Sequence, residues 1–205
     1  MSSTDQKALF TDERQAFLSA VLSNPVVGAI LERMPLLGLG DWYLTAGGVF
    51  QTVWNVVSDR DPQAGIKDYD IFYFEERDLS YEAEDAVIQR VSELFSDVDA
   101  RIEVRNEARV HLWYEQKFGV PAKPFTSCED AIDHFASTAC CYGVRTDARG
   151  VVHVYAPHGF RDLFALIVRP NPVLAPREVY ETKAARWVAE WPALTILPWP
   201  DAVDG

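Results

Sequence analysis

Two aspartates stand two residues apart in a short segment that is otherwise apolar and aromatic, Asp68-Tyr-Asp-Ile-Phe-Tyr-Phe74. This composition predicts a buried strand, on which Asp68 and Asp70 project from the same face. Carboxylates held so close disfavour each other's ionisation. A divalent cation relieves that repulsion, and hard oxygen ligands suit Mg²⁺ or Mn²⁺. The pair therefore indicates a metal site, while an exposed strand end with two solvated carboxylates is the alternative.

A third carboxylate belongs to an alternating segment, residues 99–105, that predicts another strand. Glu103 projects from it on the same face as Arg101 and Arg105, with apolar residues on the opposite face. A carboxylate here could complete a two-metal site or accept the proton of an attacking hydroxyl. Pairing with the two flanking arginines is the alternative.

A double glycine, Gly47-Gly48, follows an apolar segment at residues 42–46 that predicts a strand, and it precedes a helical pattern at residues 49–57. Backbone N–H groups at such a helix start can hold an anion. A tight strand-to-helix turn would also require glycine. The cationic candidates for phosphate binding are Lys67, Arg105 and Arg109, with solvation of the lysine and ion pairing of the arginines as the alternatives.

The remaining pattern alternates strands with helices, which predicts an α/β fold with at least three central strands. We expect helices at residues 11–34 (divided by Pro25), 80–96 (capped by Ser80), 106–114, 159–168 and 177–191, another helix that starts at its cap Ser127, and a further strand at 151–155. Prolines at positions 121 and 124 mark a linker.

Composition narrows the function. The 205 residues carry a formal net charge of −12 and no run of basic residues, so broad nucleic-acid binding is not expected. No segment has the roughly 18–20 apolar residues of a membrane span, and the N-terminal residues do not resemble a signal peptide, so we expect a cytoplasmic protein. The three cysteines, Cys128, Cys140 and Cys141, fit neither a disulfide framework nor a zinc site and are expected to be buried or partly buried free thiols.

The order of these motifs, Gly47-Gly48, then Asp68-Tyr-Asp70, then a lone Glu103, resembles the signature of the DNA polymerase β-like nucleotidyltransferase superfamily. Three longer segments resemble a bacterial branch of nucleotidyltransferase-like proteins, namely residues 45–54, 67–74 and 103–114. The likeness extends from about residue 42 to about residue 191.

The resemblance implies one domain over residues 1–205, with a core at about 36–120 and a C-terminal elaboration of helices and strands at about 125–195. It implies a small mixed sheet with helices packed on one face. The implied reaction transfers a nucleoside monophosphate from an NTP to an acceptor, which is a small molecule or a protein in preference to nucleic acid. The alternative is a degenerate member that binds a nucleotide or a partner, such as one component of a toxin–antitoxin pair.

In that reaction Asp68 and Asp70 would hold two Mg²⁺ (or Mn²⁺) ions, and Glu103 would assist one metal and take up the acceptor's proton. Gly47 and Gly48 would face the phosphates. The superfamily often has serine in place of the second glycine, whereas Gly48 offers only its backbone. We expect the carboxyl oxygens of the three acids within about 8 Å of one another on one sheet face, because shared metals need short contacts.

Overall fold

The computed structural model of the chain describes residues 3–200, with side chains from residue 12 onward. Seven strands lie in this part of the chain: β1 (Trp42–Thr45), β2 (Tyr69–Tyr73), β3 (Ile102–Asn106), β4 (Gly143–Thr146), β5 (Val152–Tyr155), β6 (Ile167–Val168) and β7 (Thr195–Ile196). The α-helices of the same part are α1 (Ser3–Leu22), α2 (Pro25–Arg33), α3 (Gly47–Val57), α4 (Tyr81–Leu94), α5 (Tyr114–Phe118), α6 (Cys128–Asp133), α7 (Arg161–Phe164) and α8 (Arg177–Glu190). Short 3-10 helices cover Met34–Leu37, Glu107–Leu112 and Thr138–Cys140.

The main sheet has five strands in the order β3-β2-β1-β4-β5. Strands β2 and β3 are parallel, and the other neighbours are antiparallel. Strands β6 and β7 form a separate parallel pair. The mixed sheet among helices confirms the predicted fold class. Strands β4 and β5 come from the region assigned to a C-terminal elaboration and extend the same sheet, while the domain bounds themselves stay a prediction.

One face of the sheet carries the main core. Alternate residues of neighbouring strands, among them Trp42, Leu44, Ile71 and Val104, are buried there in one cluster with side chains of α1 to α4. Burying this many large apolar side chains is the main favourable contribution to folding. The opposite face carries Tyr43 and Phe72, which pack against α6 in a smaller cluster. Part of that second face, over β2 and β3, stays open and forms the cleft described below.

Local signals placed several helix boundaries correctly, although α1 begins at Ser3 and not at residue 11. Pro25 stands at the first position of α2, where the side chain of Asn24 caps the helix by accepting hydrogen bonds from two backbone N–H groups. Ser80 and Ser127 cap α4 and α6, each by accepting one hydrogen bond from a backbone N–H group. The three cysteines are buried free thiols, which confirms that prediction.

The helix expected at residues 159–168 is wrong over its second half. Helix α7 covers only Arg161–Phe164, and Leu166 has a φ of 56°, which ends the helical conformation. The next two residues form β6 and pair with β7, close to the C-terminus. Residues 107–112, expected to be α-helical, form a 3-10 helix. Strand β4 was not expected at all.

No single helix among the described residues combines the length and apolar character of a membrane span. One helix pair, Asp12–Leu22 with Pro25–Leu37, reaches the required length and composition only when taken together, and it is bent by 98°.

Candidate active site

The parallel register of β2 and β3 places Asp70 directly opposite Glu103. On its other side, Asp70 is opposite Thr45 of β1. Residues paired across strands project from the same face, so the two carboxylates lie side by side on the face that is turned away from the main core. Asp68 immediately precedes β2, two residues before Asp70. The structure thus brings together two of the three expected acids by backbone pairing alone.

The electrostatics of Asp70 show that the acids interact. Burial, followed by the negative charges of Asp68 and Glu103, raises the pKa of Asp70 to about 7. The positive charges of Lys183 and Arg105 oppose this shift. A carboxyl group in this setting gains most from an added cation, because a cation removes the cause of the repulsion.

The donor chemistry fits a hard divalent cation, although the acids are not gathered into a complete ligand set. Among the described residues, no three His, Cys, Asp or Glu side chains are grouped closely enough to hold a metal ion. The Glu103 carboxylate is 2.5 Å from a guanidinium nitrogen of Arg101, whose side chain is 72% exposed. Such a surface pair is weak, so a cation could replace it at small cost. Convergence of all three carboxylates stays a prediction.

A cleft of about 780 Å³ opens above Asp70 and Glu103. This volume is within the usual range for small-molecule sites. Its other lining residues come from β2, β3, α4 to α6, α8 and the segments beside them. The polar part includes Arg105, Glu107, Arg109, Lys117, His134 and Lys183, and the aromatic part includes Phe72, Tyr81, Trp113, Tyr114, Phe118, Phe125 and Phe135. The presence of both charged groups and aromatic rings in one cleft suits a ligand with an anionic part and a planar part.

A second, smaller depression of about 270 Å³ contains Asp68 and Lys67. Gln51 of α3 and Arg186 of α8 line it as well. The acidic residues at the start of β2 therefore stand between two depressions, with Asp70 facing the large one and Asp68 facing the small one.

The double glycine forms the start of α3. Val49 and Phe50 donate the first hydrogen bonds of the helix, both to the carbonyl of Ala46, so the amides of Gly47 and Gly48 precede the internal ladder. Ala46 has a φ of 52°, a strained value for a residue with a Cβ. Both glycines are buried, and they are not among the residues that line the two depressions, so the expected anion-binding role stays a prediction.

Packing gives Gly48 a second reason to be glycine. A Cβ added at Gly48 would lie 2.7 Å from Cδ1 of Tyr69. A serine at this position would therefore require Tyr69 to move. The ring of Tyr69, between the two aspartates, therefore explains why position 48 holds glycine and not the serine that the resemblance led us to expect.

Arg109, one of the expected phosphate ligands, is engaged elsewhere. Its guanidinium forms an ion pair with Glu84 of α4, and its Nε donates a hydrogen bond of 3.0 Å to the Leu79 carbonyl. The two side chains of the pair are only 15% and 9% exposed. The geometry therefore favours the ion-pairing alternative for Arg109. Arg105 is exposed at the cleft and keeps its candidate role.

The sequence did not single out three charged residues that the structure brings to the acids. Glu107 is buried in the cleft, where burial first and then the charge of Asp70 raise its pKa to about 8. Lys183 and Arg186 lie on α8, more than 110 positions after Asp70. In the sequence, these two cationic residues stand out only by their spacing of three residues beside the apolar face of the predicted helix.

Comparison with known proteins identifies the class to which this site belongs. A family model described as Nucleotidyltransferase matches residues 32–196, and the chain belongs to that family. A solved structure is similar over 89% of this chain and 95% of its own, with 27% identity and a TM-score of 0.72; its title states that the NMR structure reveals a CCA-adding enzyme head domain. No curated protein matches the chain significantly. The resemblance to the polymerase β-like superfamily is thereby confirmed, and the protein is a nucleotidyltransferase by family and fold.

Proposed function

We propose that this protein transfers a nucleoside monophosphate from an NTP to a hydroxyl group of a small molecule or a protein, in the cleft above Asp70 and Glu103. The observation that carries the proposal is the direct pairing of these two carboxylates across parallel strands, at the base of a cleft large enough for a nucleotide. Aromatic side chains in the same cleft offer surfaces for a nucleobase.

The proposed step is a substitution at the α-phosphorus. The acceptor oxygen forms a bond to that phosphorus, the bond to the bridging oxygen of the β-phosphate breaks, and pyrophosphate leaves with the electron pair. Glu103 is positioned to take up the proton of the acceptor hydroxyl. Arg105, on the same strand face, is positioned to offset negative charge on the phosphates.

The metal expected in this family would be Mg²⁺ or Mn²⁺, held by Asp70 and Glu103 together with Asp68. When bound it would supply charge neutralisation for the phosphates and for the attacking oxygen. The raised pKa of Asp70, caused by burial and by its two acidic neighbours, supports this assignment. Binding of the cation would lower that pKa again and keep the carboxylate ionised.

The charge of the protein supports a small-molecule or protein acceptor. A net charge of −12 repels a polynucleotide backbone, and the sequence has no run of basic residues to offset it. The similar solved structure is described as a CCA-adding enzyme head domain, so an RNA acceptor belongs in the acceptor screen as the competing outcome.

The deciding experiment is calorimetric titration of ATP, GTP, CTP and UTP in the presence of Mg²⁺, with wild type, Asp70→Asn and Glu103→Gln. Asp99→Asn is a matched control, because Asp99 is exposed and lies outside the cleft. We expect micromolar binding of at least one NTP that requires both the metal and Asp70, and a control that behaves as wild type.

Absence of binding by every NTP in the folded wild-type protein would contradict the proposal. That result would favour the alternative of a degenerate member that binds a partner. Binding that is unchanged in Asp70→Asn would place the nucleotide elsewhere and would also contradict it.

A further inference from the structure

Helix α8 is held firmly beside the acids by a buried stripe. Tyr180, Ala184 and Trp187, spaced along one helical face, are each buried. The ring of Trp187 packs edge-on against Phe50 and Trp54 of α3, with centroid distances of 5.2 and 5.8 Å. The helix is thereby fixed to α3, whose first residues are the double glycine. Side chains next to the stripe are consequently held in place over the site.

Two cationic residues of α8, Lys183 and Arg186, stand next to this buried stripe, about one helical turn apart. Lys183 is half-buried and lines the large cleft together with Asp70 and Glu103. Arg186 lines the small depression together with Lys67 and Asp68. Residues three apart on a helix are neighbours, with Cβ atoms about 5–6 Å apart. One helical turn of α8 therefore presents a cation to each of the two depressions that the acids separate.

Both cations remain available for a ligand. Among the residues that the structure describes, neither Lys183 nor Arg186 is part of an ion pair. Arg109 and Arg101 are engaged by Glu84 and Glu103 respectively. The positive charge of Lys183 acts on Asp70, where it opposes the rise in the pKa of that carboxyl. This cation therefore lies within electrostatic reach of the expected reaction centre.

We propose that Lys183 and Arg186 bind the phosphate chain of the NTP and the departing pyrophosphate, an inference that rests on the function proposed above. The α-phosphate would lie at Asp70 and Glu103, near Lys183. The outer phosphates would extend toward Arg186, Lys67 and the amides at the start of α3. Arg and Lys are the side chains best suited to phosphate oxygens. In this arrangement the C-terminal helix adds two positive charges to that of Arg105 on β3.

The test separates phosphate recognition from general binding. Wild type, Lys183→Met and Arg186→Gln are titrated, in the presence of Mg²⁺, with the preferred NTP, the matching NMP and inorganic tripolyphosphate. Arg177→Gln is the matched control, because Arg177 is on the same helix and pairs with Glu181. Circular dichroism and the thermal midpoint verify folding of each variant, and Lys183→Arg tests whether a cation alone restores binding.

We expect each substitution to weaken binding of the NTP and of tripolyphosphate by about tenfold to a hundredfold, the usual effect of losing a charged hydrogen bond. Binding of the NMP should change much less in Arg186→Gln than binding of the NTP. Lys183→Arg should retain most of the affinity, and Arg177→Gln should match wild type.

Two outcomes overturn the inference while leaving the proposed function intact. In the first, wild type binds an NTP and both variants bind it equally well. In the second, the affinities for NMP and NTP fall by the same factor in both variants, which would indicate a structural role for α8. A wild-type protein that binds no NTP overturns both the inference and the function on which it rests.

Discussion

The buried carboxyl of Glu107 makes the stability of this protein depend on pH in an unusual direction. Burial and the charge of Asp70 raise its pKa from an ordinary 4.5 to about 8. The folded state thus binds this proton more tightly than the unfolded state does. The contribution of Glu107 to the free energy of unfolding is most favourable below pH 4.5. It decreases as the pH rises toward 8 and is constant above that pH.

The size of the effect follows from the same two values. Each pKa unit corresponds to about 1.36 kcal/mol, so the rise from 4.5 to about 8 sets a ceiling of about 5 kcal/mol on the cost of ionising Glu107 in the folded protein. Between pH 6 and pH 8 the wild type can lose at most about 1.36 kcal/mol per pH unit through this group. Glutamine resembles the protonated acid and does not ionise. Relative to wild type, Glu107→Gln should therefore gain about 1–3 kcal/mol between pH 6 and pH 9.

The assay is urea unfolding at pH 6 and pH 9 without divalent cations, followed by tryptophan fluorescence and circular dichroism. Lower pH values are avoided because the pI is near 4.7, where solubility is poorest. Glu115→Gln, an exposed position on α5, is the control and should follow wild type at both pH values. Asp70 titrates in wild type and in both variants, and its interaction with Glu107 is part of the difference that Glu107→Gln reports.

If the free energies of unfolding of Glu107→Gln and wild type differ by the same amount at pH 6 and at pH 9, the prediction is wrong. That result would mean that the Glu107 carboxyl ionises as easily in the folded protein as in the unfolded chain. The conclusion that the buried Glu107 carboxyl is protonated in the folded protein would then be wrong.

Three further substitutions, two near the site and one in α2, test packing by urea unfolding. Gly48→Ala should cost about 1–3 kcal/mol, because the new Cβ would meet the ring of Tyr69 at 2.7 Å, and Tyr69→Leu should reduce that cost. Gly28→Ala in α2, where the added Cβ meets nothing within 4 Å, should instead stabilise by about 0.5–1 kcal/mol; equal effects at the two glycines would contradict the contact. Arg109→Met should cost about 3–5 kcal/mol, because it leaves the buried carboxylate of Glu84 unpaired. A second substitution, Glu84→Gln, should recover part of that loss, and no recovery would show that the pair is not what Arg109 stabilises.

The sequence alone predicted the parts of this protein that depend on neighbours along the chain. The aspartate pair at the start of β2, the double glycine at the start of α3 and the serine caps of α4 and α6 are each specified within a few residues. Strand alternation also placed Glu103 on one face of β3 correctly. These features are local because backbone conformation and side-chain direction repeat with a fixed period in helices and strands.

The tertiary structure alone decided which of these residues meet. The parallel pairing of β2 with β3 sets Glu103 opposite Asp70, and a register shift of one residue would have put it on the other face. Packing of Trp187 against α3 brings Lys183 and Arg186 to the acids from far along the chain. Likewise, residues 167–168 became a strand because β7 was there to pair with them. Such contacts depend on burial and on pairing between distant segments, and no local periodicity encodes the identity of a distant partner.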